Sequence, residues 1–250
     1  RPRIPNNINV DEQTIITSDG IKNLNSFPKS MVVLGAGVIG CEFATIFSAF
    51  GTTKVNLIDK ADRILPFEDA DIADVIKENL ETQNAHVHSG ASLKRMEAKN
   101  NEVEYELEFK NGDSKIFKVE KALISIGRVP NIENLGLENA GVKLNERGCI
   151  WDDDTQTNIS NIYVAGDVTT EMALVNVGER EARHAVVRMF GPAIKTLTYK
   201  NISSIMFLNP EVAAVGMNEQ ECVAKGIPHK VVKLDYTTNA RAKEMRKTKG

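Results

Sequence analysis

Residues 31–59 read MVVLGAGVIGCEFATIFSAFGTTKVNLID and decide the fold of this 250-residue chain. An apolar run, Met31 to Leu34, precedes the glycine-rich segment 35–40, and apolar residues then recur at a helical spacing. A second apolar run, 55–58, ends at Asp59, nineteen positions after Gly40. This segment has the dinucleotide-binding fingerprint in the context it requires: a strand, a glycine turn, a helix, a second strand and an acidic residue, in that order.

The three glycines of this segment have separate physical roles. Gly35 allows the tight turn after the strand, Gly37 lets the backbone approach a pyrophosphate, and Gly40 lets the helix pack closely on the sheet. The pyrophosphate would lie at the N-terminal amides of the helix, where unpaired donors and the helix dipole favour negative charge. The pattern therefore predicts a dinucleotide site at this turn.

Asp59 indicates which dinucleotide is bound. Its carboxylate can accept hydrogen bonds from the adenosine ribose, whereas a 2′-phosphate would be repelled by roughly 4 kcal/mol per unit charge at about 4 Å and an effective dielectric near 20. This favours NAD over NADP. Lys60 and Arg63 leave an alternative open, since a nearby cation can accommodate the 2′-phosphate; otherwise they are solvated loop charges.

The composition limits the class of protein. The chain is 42% hydrophobic and 26% charged, with a net charge of −3 and no long basic stripe, so neither nucleic acid nor an anionic membrane is expected as a partner. No apolar run of membrane-spanning length and no leader are present, which favours a cytoplasmic protein. The first residues, Arg-Pro-Arg, and the basic end suggest an internal fragment of a longer chain.

Cysteine and histidine spacing predicts neither a redox pair nor a metal site. Cys41, Cys149 and Cys222 form no CxxC or CxxxxC motif and are expected to be structural thiols. His86 and His88 would share one face of a strand, but no third metal ligand is evident, so no bound metal is expected.

The first half of the chain reads as a βα domain with an inserted meander. Residues 1–28, with three prolines, suit an extended connector, and residues 69–84 have the pattern of a second crossover helix. Residues 103–109 alternate strictly between apolar and acidic, which is typical of a half-buried strand. Asn111-Gly112 predicts a hairpin turn, after which residues 116–119 form the returning strand. These strands predict an antiparallel β-meander beside a parallel sheet.

The second half predicts shorter elements. Strands are expected at 122–126 and 162–165, with a solvated acidic turn at Asp152–Asp154 between them, followed by a helix from Leu174 to Met189. The last region is expected to contain strands at 205–208, 212–215 and 230–234 and a short helix at 219–225.

Several separated segments, taken together, resemble the flavin-dependent pyridine nucleotide-disulphide oxidoreductases, most closely their dihydrolipoamide dehydrogenase branch. Their order and spacing match the middle portion of that family over nearly the whole chain. The segments are GAGVIGCEFATIFSAFG (35–51), DRILP (62–66), ALISIGRVPN (122–131), TQTNISNIYVAGDV (155–168), NPEVAAVGMNE (209–219) and NARA (239–242).

The resemblance implies an α/β fold of several parts. Residues 1–28 would be a connector from an FAD-binding domain, and residues 29–148 a Rossmann-like NAD-binding domain with a parallel sheet and a β-meander. Residues 149–197 would be the second segment of the FAD-binding domain. Residues 198–250 would begin an α+β dimerisation domain, so the parent protein is expected to be a homodimer.

The resemblance also implies which residues contact the cofactors. Glu42 would lie near the nicotinamide and the flavin ring, although a carboxylate near a helix N-terminus is also stabilised there by the helix dipole. The NAD contacts implied are Gly35, Ala36, Gly37, Val38, Ile39, Gly40, Glu42, Asp59, Leu93 and Gly127. The FAD contacts implied are Asp167, Ala173, Leu174, Val175 and Asn176, the last at a position where family members often have histidine.

The implied activity is hydride passage between FAD and NAD in a parent flavoenzyme like dihydrolipoamide dehydrogenase. The family's N-terminal FAD fingerprint, CxxxxC redox pair and C-terminal His-Glu pair have no counterpart here, so this chain alone would contain no catalytic residue and would reduce no disulfide. A soluble pyridine nucleotide transhydrogenase of the same family, which uses no redox cysteine pair, is the alternative enzyme. A non-catalytic NAD-binding module is the alternative of a different class.

Overall fold

The computed structural model describes residues 1–169, 172–192 and 195–250. These residues divide into two compact units. The larger unit comprises Pro2–Gly127 and Ile205–Gly250, and the smaller unit comprises Arg1 and Arg128–Ser204. Within the described ranges, no helix is both long and apolar enough to cross a membrane.

The larger unit contains the predicted parallel sheet and meander. Its two long helices are α1 (Val38–Ala49) and α2 (Ala70–Thr82). Its first eight strands are β1 (Ile15–Thr17), β2 (Ser30–Leu34), β3 (Lys54–Asp59), β4 (Ala85–Ser89), β5 (Ser92–Lys99), β6 (Glu102–Glu108), β7 (Ser114–Val119) and β8 (Lys121–Ile124). The parallel sheet has the order β1-β8-β2-β3-β4, and β5, β6 and β7 form an antiparallel sheet of their own. The α/β class is confirmed, and part of the predicted connector is the edge strand β1.

The two faces of the parallel sheet are covered by different elements, because successive side chains of a strand point to opposite sides. Met31 and Val33 of β2 join a buried cluster with the apolar faces of α1 and α2. Val32 lies on the other face, in a cluster with Val103 and Tyr105 of the meander. The strict alternation of residues 103–109 thus buries one face of β6 against the sheet.

The smaller unit is built on one long helix and irregular chain. Helix α3 spans Val175–Phe190, which confirms the predicted helix. The strand predicted at 162–165 is wrong: only an isolated bridge between Gln156 and Tyr163 forms. The chain facing it turns at Asp154 and Thr155, both at positive φ, so a continuous ladder cannot extend there.

The acidic turn at Asp152–Asp154 is not simply solvated, as the sequence suggested. The Asp154 side chain is only 13% exposed, with its Oδ1 2.9 Å from Nε2 of His184, and it accepts a hydrogen bond from the Leu197 amide at 2.8 Å. Arg188 also donates to the backbone carbonyl of Asp153 at 2.8 Å. Two residues of α3 therefore hold this turn in place.

The final region forms short elements. Strands β9 (Ser203–Met206) and β10 (Val212–Val215) pair in a two-stranded sheet, and helices α4 (Glu219–Ala224) and α5 (Ala240–Glu244) follow. The strand predicted at 230–234 is wrong. None of the described strands pairs with this segment, and Val232 and Leu234 are 81% and 82% exposed. Apolar alternation cannot by itself form a strand that has no hydrogen-bonding neighbour.

We predict that Asp154→Asn lowers the stability of the smaller unit by about 1–3 kcal/mol at pH 7. Burial acts to raise the pKa of Asp154, but the close approach of His184, the hydrogen bond from the Leu197 amide and the charge of Arg188 outweigh it, so the pKa is lowered. A lowered pKa stabilises the fold above the ordinary Asp value near 4, and this contribution is lost as the pH falls.

Thermal unfolding of wild type and variant from pH 7 down to pH 3 measures this effect. The difference in melting temperature should be largest at pH 7 and should shrink below about pH 4. Asp153→Asn, at the exposed neighbouring position, is the matched control and should leave the melting temperature unchanged. A difference that grows towards low pH would contradict the assignment.

Candidate functional site

The candidate site lies at the carboxyl edge of the parallel sheet, where three strands end side by side. Leu34 of β2 pairs in register with Ile58 of β3 and with Ile124 of β8. From β2 the chain passes through α1 to β3 on one side, whereas β8 lies on the other side. This is a topological switch point, the position at which open α/β sheets bind their ligands.

Two of the three motif glycines are required by the protein's own packing. Gly35 has φ +101°, and a Cβ there would lie 2.6 Å from the Ser125 carbonyl oxygen. A Cβ on Gly40 would overlap the carbonyl oxygen of Gly35. These glycines allow the start of α1 to approach the ends of β2 and β8.

The packing of the protein itself does not require a glycine at position 37. Its φ is −78°, which any residue adopts, and a Cβ there would meet no atom within 4 Å. Gly37 is also the N-cap of α1, and no side chain among the described residues caps that helix. The space beside Gly37 is therefore open, and a helix N-terminus without a side-chain cap suits the pyrophosphate of a dinucleotide.

The peptide of Ala36 is held on both sides. Its amide donates to Oδ2 of Asp59 at 2.7 Å, and its carbonyl accepts from the Leu65 amide at 2.8 Å. Oδ1 of Asp59 accepts from the Ala61 amide at 2.8 Å. Each carboxylate oxygen retains acceptor capacity for a ribose hydroxyl. The carboxylate predicted to face the ribose thus also fixes the glycine turn.

Arg63 is engaged by the protein itself. Its guanidinium donates to the carbonyls of Glu68 and Pro66 at 2.7 and 2.9 Å and also bonds to Gln220. Lys60 is exposed and has no carboxylate within 4.0 Å among the described residues. The sequence left open whether Lys60 or Arg63 accommodates a 2′-phosphate, and the Arg63 side chain instead stabilises its own loop.

Ser125 is a site residue that the sequence reasoning missed. Its hydroxyl donates to the carbonyls of Leu34 and Gly35 at 2.9 and 3.0 Å. It therefore ties the end of β8 to the glycine turn. The signal was present in the sequence, because Ser125 is a polar residue inside the apolar run 122–126.

The other predicted NAD contacts lie around this edge or farther along the chain. Val38 and Ile39 begin α1, while Glu42 lies beyond its first turn and accepts from the Phe207 amide at 3.0 Å. Gly127 has φ +102° and open space at its Cβ position. Leu93 is on β5, two residues after Ala91, whose amide donates to the Asp59 carbonyl at 3.1 Å.

Cys41 is not a nucleophile in this arrangement. It is buried in the apolar cluster beneath α1. Burial, and then the negative charges of Asp59 and Glu42, raises the pKa of its thiol to about 12. The thiol is therefore protonated at neutral pH, as expected for a structural cysteine.

In the smaller unit, the structure brings the predicted FAD contacts close together in two segments. Asp167 is exposed on a turn, and a Cβ on Gly178 of α3 would lie only 3.1 Å from Cα of Gly166. Residues 173–176 lead into the same helix. Ala173 is exposed, Leu174 is the N-cap, and Val175, which is 90% exposed, and Asn176 begin the helix. Asn176 donates to the Ser203 carbonyl at 3.3 Å.

Glu181 is a second residue that the sequence reasoning missed. It is only 1% exposed, and its carboxylate accepts from the Gly166 amide at 2.6 Å and from the Tyr199 hydroxyl at 2.9 Å. It therefore positions the turn that carries Asp167. Its position in the polar run Glu179-Arg180-Glu181 gave no sign of burial.

Comparison with known proteins identifies the family of the chain. The family model for pyridine nucleotide-disulphide oxidoreductases matches residues 1–182, and the model for the dimerisation domain of that family matches residues 202–250. A soluble pyridine nucleotide transhydrogenase of Pseudomonas aeruginosa is 35% identical over 97% of this chain and 51% of its own length. A dihydrolipoyl dehydrogenase of Chlamydia muridarum is 34% identical over 94% of this chain and 50% of its own length. The chain thus spans about half the length of these curated relatives.

Solved structures are similar over the full chain. The HOCl-induced flavoprotein disulfide reductase RclA of Escherichia coli matches with a TM-score of 0.89 and 30% identity, over 100% of this chain and 57% of its own. LpdA of Mycobacterium tuberculosis matches with a TM-score of 0.90 and 29% identity, over 100% of this chain and 53% of its own. The family uses FAD and a pyridine nucleotide as cofactors. The chain belongs to the pyridine nucleotide-disulphide oxidoreductase family.

Proposed function

We propose that this chain is the NAD-binding portion of a flavin-dependent oxidoreductase like dihydrolipoamide dehydrogenase. The observation that carries the proposal is Gly37, a glycine that the protein's own packing does not require, at an uncapped helix N-terminus. When bound, FAD and NAD supply the redox chemistry by passing a hydride between them. The protein's contribution is to bind and orient the two cofactors.

In this proposal, the carboxyl edge of the parallel sheet holds NAD. The segment Gly35–Gly40 carries the pyrophosphate on the amides of α1, and Asp59 accepts from the adenosine ribose. Gly127 lies along the nicotinamide half, Leu93 borders the adenine, and Glu42 lies near the nicotinamide. Because Arg63 already bonds to two backbone carbonyls, it is not available to a 2′-phosphate, which supports NAD over NADP.

The proposal assigns the flavin to the smaller unit. Asp167 would accept from ribityl or ribose hydroxyls of FAD, and residues 173–176 would meet the isoalloxazine. The support is the closeness of the two segments and the buried Glu181, which holds the Gly166 amide.

We propose the domain limits 29–148, 149–197 and 198–250 for the NAD-binding, flavin-binding and dimerisation parts. The match of residues 202–250 to a dimerisation-domain model supports a homodimeric parent protein. A cytoplasmic location is also proposed, because all three cysteines are free, as is usual in a reducing compartment.

A soluble pyridine nucleotide transhydrogenase is the second candidate function. The similarity to the Pseudomonas aeruginosa protein favours it, since its 35% identity is close to the 34% of the dihydrolipoyl dehydrogenase. Both candidates need the same dinucleotide site. They differ in the second electron carrier, a dithiol in one case and a second nicotinamide in the other.

We predict that Gly37→Ala leaves the fold intact and weakens NADH binding about tenfold or more, because the new Cβ enters the space of the pyrophosphate. Fluorescence titration of the purified chain with NADH measures the loss, and thermal unfolding checks the fold. Gly40→Ala is the contrasting variant. It should lower the melting temperature, because its Cβ overlaps the Gly35 carbonyl. Unchanged NADH affinity in a folded Gly37→Ala variant would contradict the proposed site.

We predict that Asp59→Asn reduces the preference for NADH over NADPH by about tenfold, because the charge that repels a 2′-phosphate is removed. Asparagine keeps an oxygen acceptor, so at least one of the two backbone hydrogen bonds can persist. Parallel titrations with NADH and NADPH give the ratio.

Arg63→Ala is the matched control for this test. If the guanidinium only orders its loop, the variant should leave the NADH-to-NADPH ratio unchanged. A selective loss of NADPH binding in Arg63→Ala would show that Arg63 accommodates the 2′-phosphate, and equal losses of both cofactors in Asp59→Asn would contradict the role of Asp59.

A further inference from the structure

A cleft of about 350 Å³ opens between the parallel sheet and the meander. Its lining on β3 starts at Lys54, roughly 16 Å from Asp59 at about 3.3 Å per residue, and includes Asn56, roughly 10 Å from Asp59. On β4 the lining includes His86 and His88, on the same face of the strand. Residues that line the cleft include Lys54, Asn56, His86, His88, Lys115 and Phe117.

The polar lining of this cleft interrupts an otherwise apolar face. Asn56 and Ile58 point to the same side of β3, and Ile58 is fully buried beneath the meander. Asn56 is nonetheless an amide that is only 8% exposed. Its Oδ1 lies 3.3 Å from Nε2 of His88, and His86 is the register partner of Asn56 on β4. The Asn56 amino group makes no hydrogen bond among the described residues and remains a donor for a ligand.

The cleft also collects positive charge that the protein leaves unpaired. Neither Lys54 nor Lys115 has a carboxylate within 4.0 Å among the described residues. Lys115 is on the inward face of β7, in register with Leu107, and its ammonium lies 5.2 Å from the centre of the Phe117 ring. Basic side chains from β3, β4 and β7 therefore face one small space.

Glu104, an acidic residue beside the rim, does not neutralise the positive charge of the cleft. Lys118 borders the cleft and lies 3.6 Å from Glu104, but the same carboxylate also bonds to Arg95 at 2.9 Å and lies 3.7 Å from Lys99. The pKa of His88 is lowered, first by burial, and the neighbouring positive charges of His86 and Lys115 act in the same direction.

We propose that this cleft binds a small polyanion with phosphate or carboxylate groups, at a site separate from the dinucleotide edge. The two unpaired ammonium groups supply the charge, and the imidazole nitrogens and the Asn56 amino group supply directional hydrogen-bonding groups. The volume is at the lower end of the range for small-molecule sites, so the ligand is a compact metabolite.

The test follows the imidazole signals of the four histidines by NMR while the chain is titrated with inorganic pyrophosphate and, separately, with citrate. Ionic strength and pH are held constant, and each titration is repeated with excess NADH. We expect saturable shifts at His86 and His88 and none at His184 or His229. If only pyrophosphate shifts His86 and His88, the cleft recognises phosphate groups, and if only citrate does, it recognises carboxylate groups. If both anions shift these signals, the negative charge of the ligand determines binding.

Lys115→Ala should raise the dissociation constant of each anion that shifts His86 and His88 about fivefold or more. Lys243→Ala, at an exposed lysine of α5, is the matched control and should leave the constant unchanged. Lys54→Ala replaces Lys115→Ala if the latter does not fold. The proposal is overturned if neither anion shifts His86 and His88, if NADH abolishes the shifts, or if the control variant loses as much affinity as the cleft variant.

Discussion

The hydrogen bond from the Ala36 amide to the Asp59 carboxylate is the contact on which the candidate site depends. It joins the turn after β2 to the end of β3, and the same carboxylate also accepts from the Ala61 amide. The turn is held from the other side by Ser125, whose hydroxyl bonds to the Gly35 carbonyl. A backbone fixed in this way can present its helix amides to a ligand without first being ordered, which reduces the entropic cost of binding.

The sheet makes such an edge possible because its two faces are buried by different means. Helices α1 and α2 cover one face and the meander covers the other, so the strands in the middle are almost fully excluded from water. Two parts of the sheet differ in chemistry. The carboxyl edge presents the start of α1 and Asp59, whereas the cleft between the sheet and the meander presents lysines, histidines and Asn56.

Much of the fold and part of the candidate site could be predicted from the sequence, for identifiable reasons. The glycine segment, the crossover helices and the meander have local patterns whose period matches the element formed. The strands predicted at 162–165 and 230–234 failed because a strand also needs a partner, and the partner is not a local property. Ser125 and Glu181 were missed because their importance comes from contacts with residues 90 and 15 positions away.

The sequence by itself determined the order of strand, glycine turn, helix and acidic residue, and with it the dinucleotide class of the site. Only the tertiary structure decided which of the three glycines the protein's own packing does not require, because packing distances separate Gly37 from Gly35 and Gly40. It also decided that Arg63 is engaged and that Asp154 is sheltered by α3. Residue type sets what a side chain can do, whereas its neighbours in space decide which of these possibilities remains open.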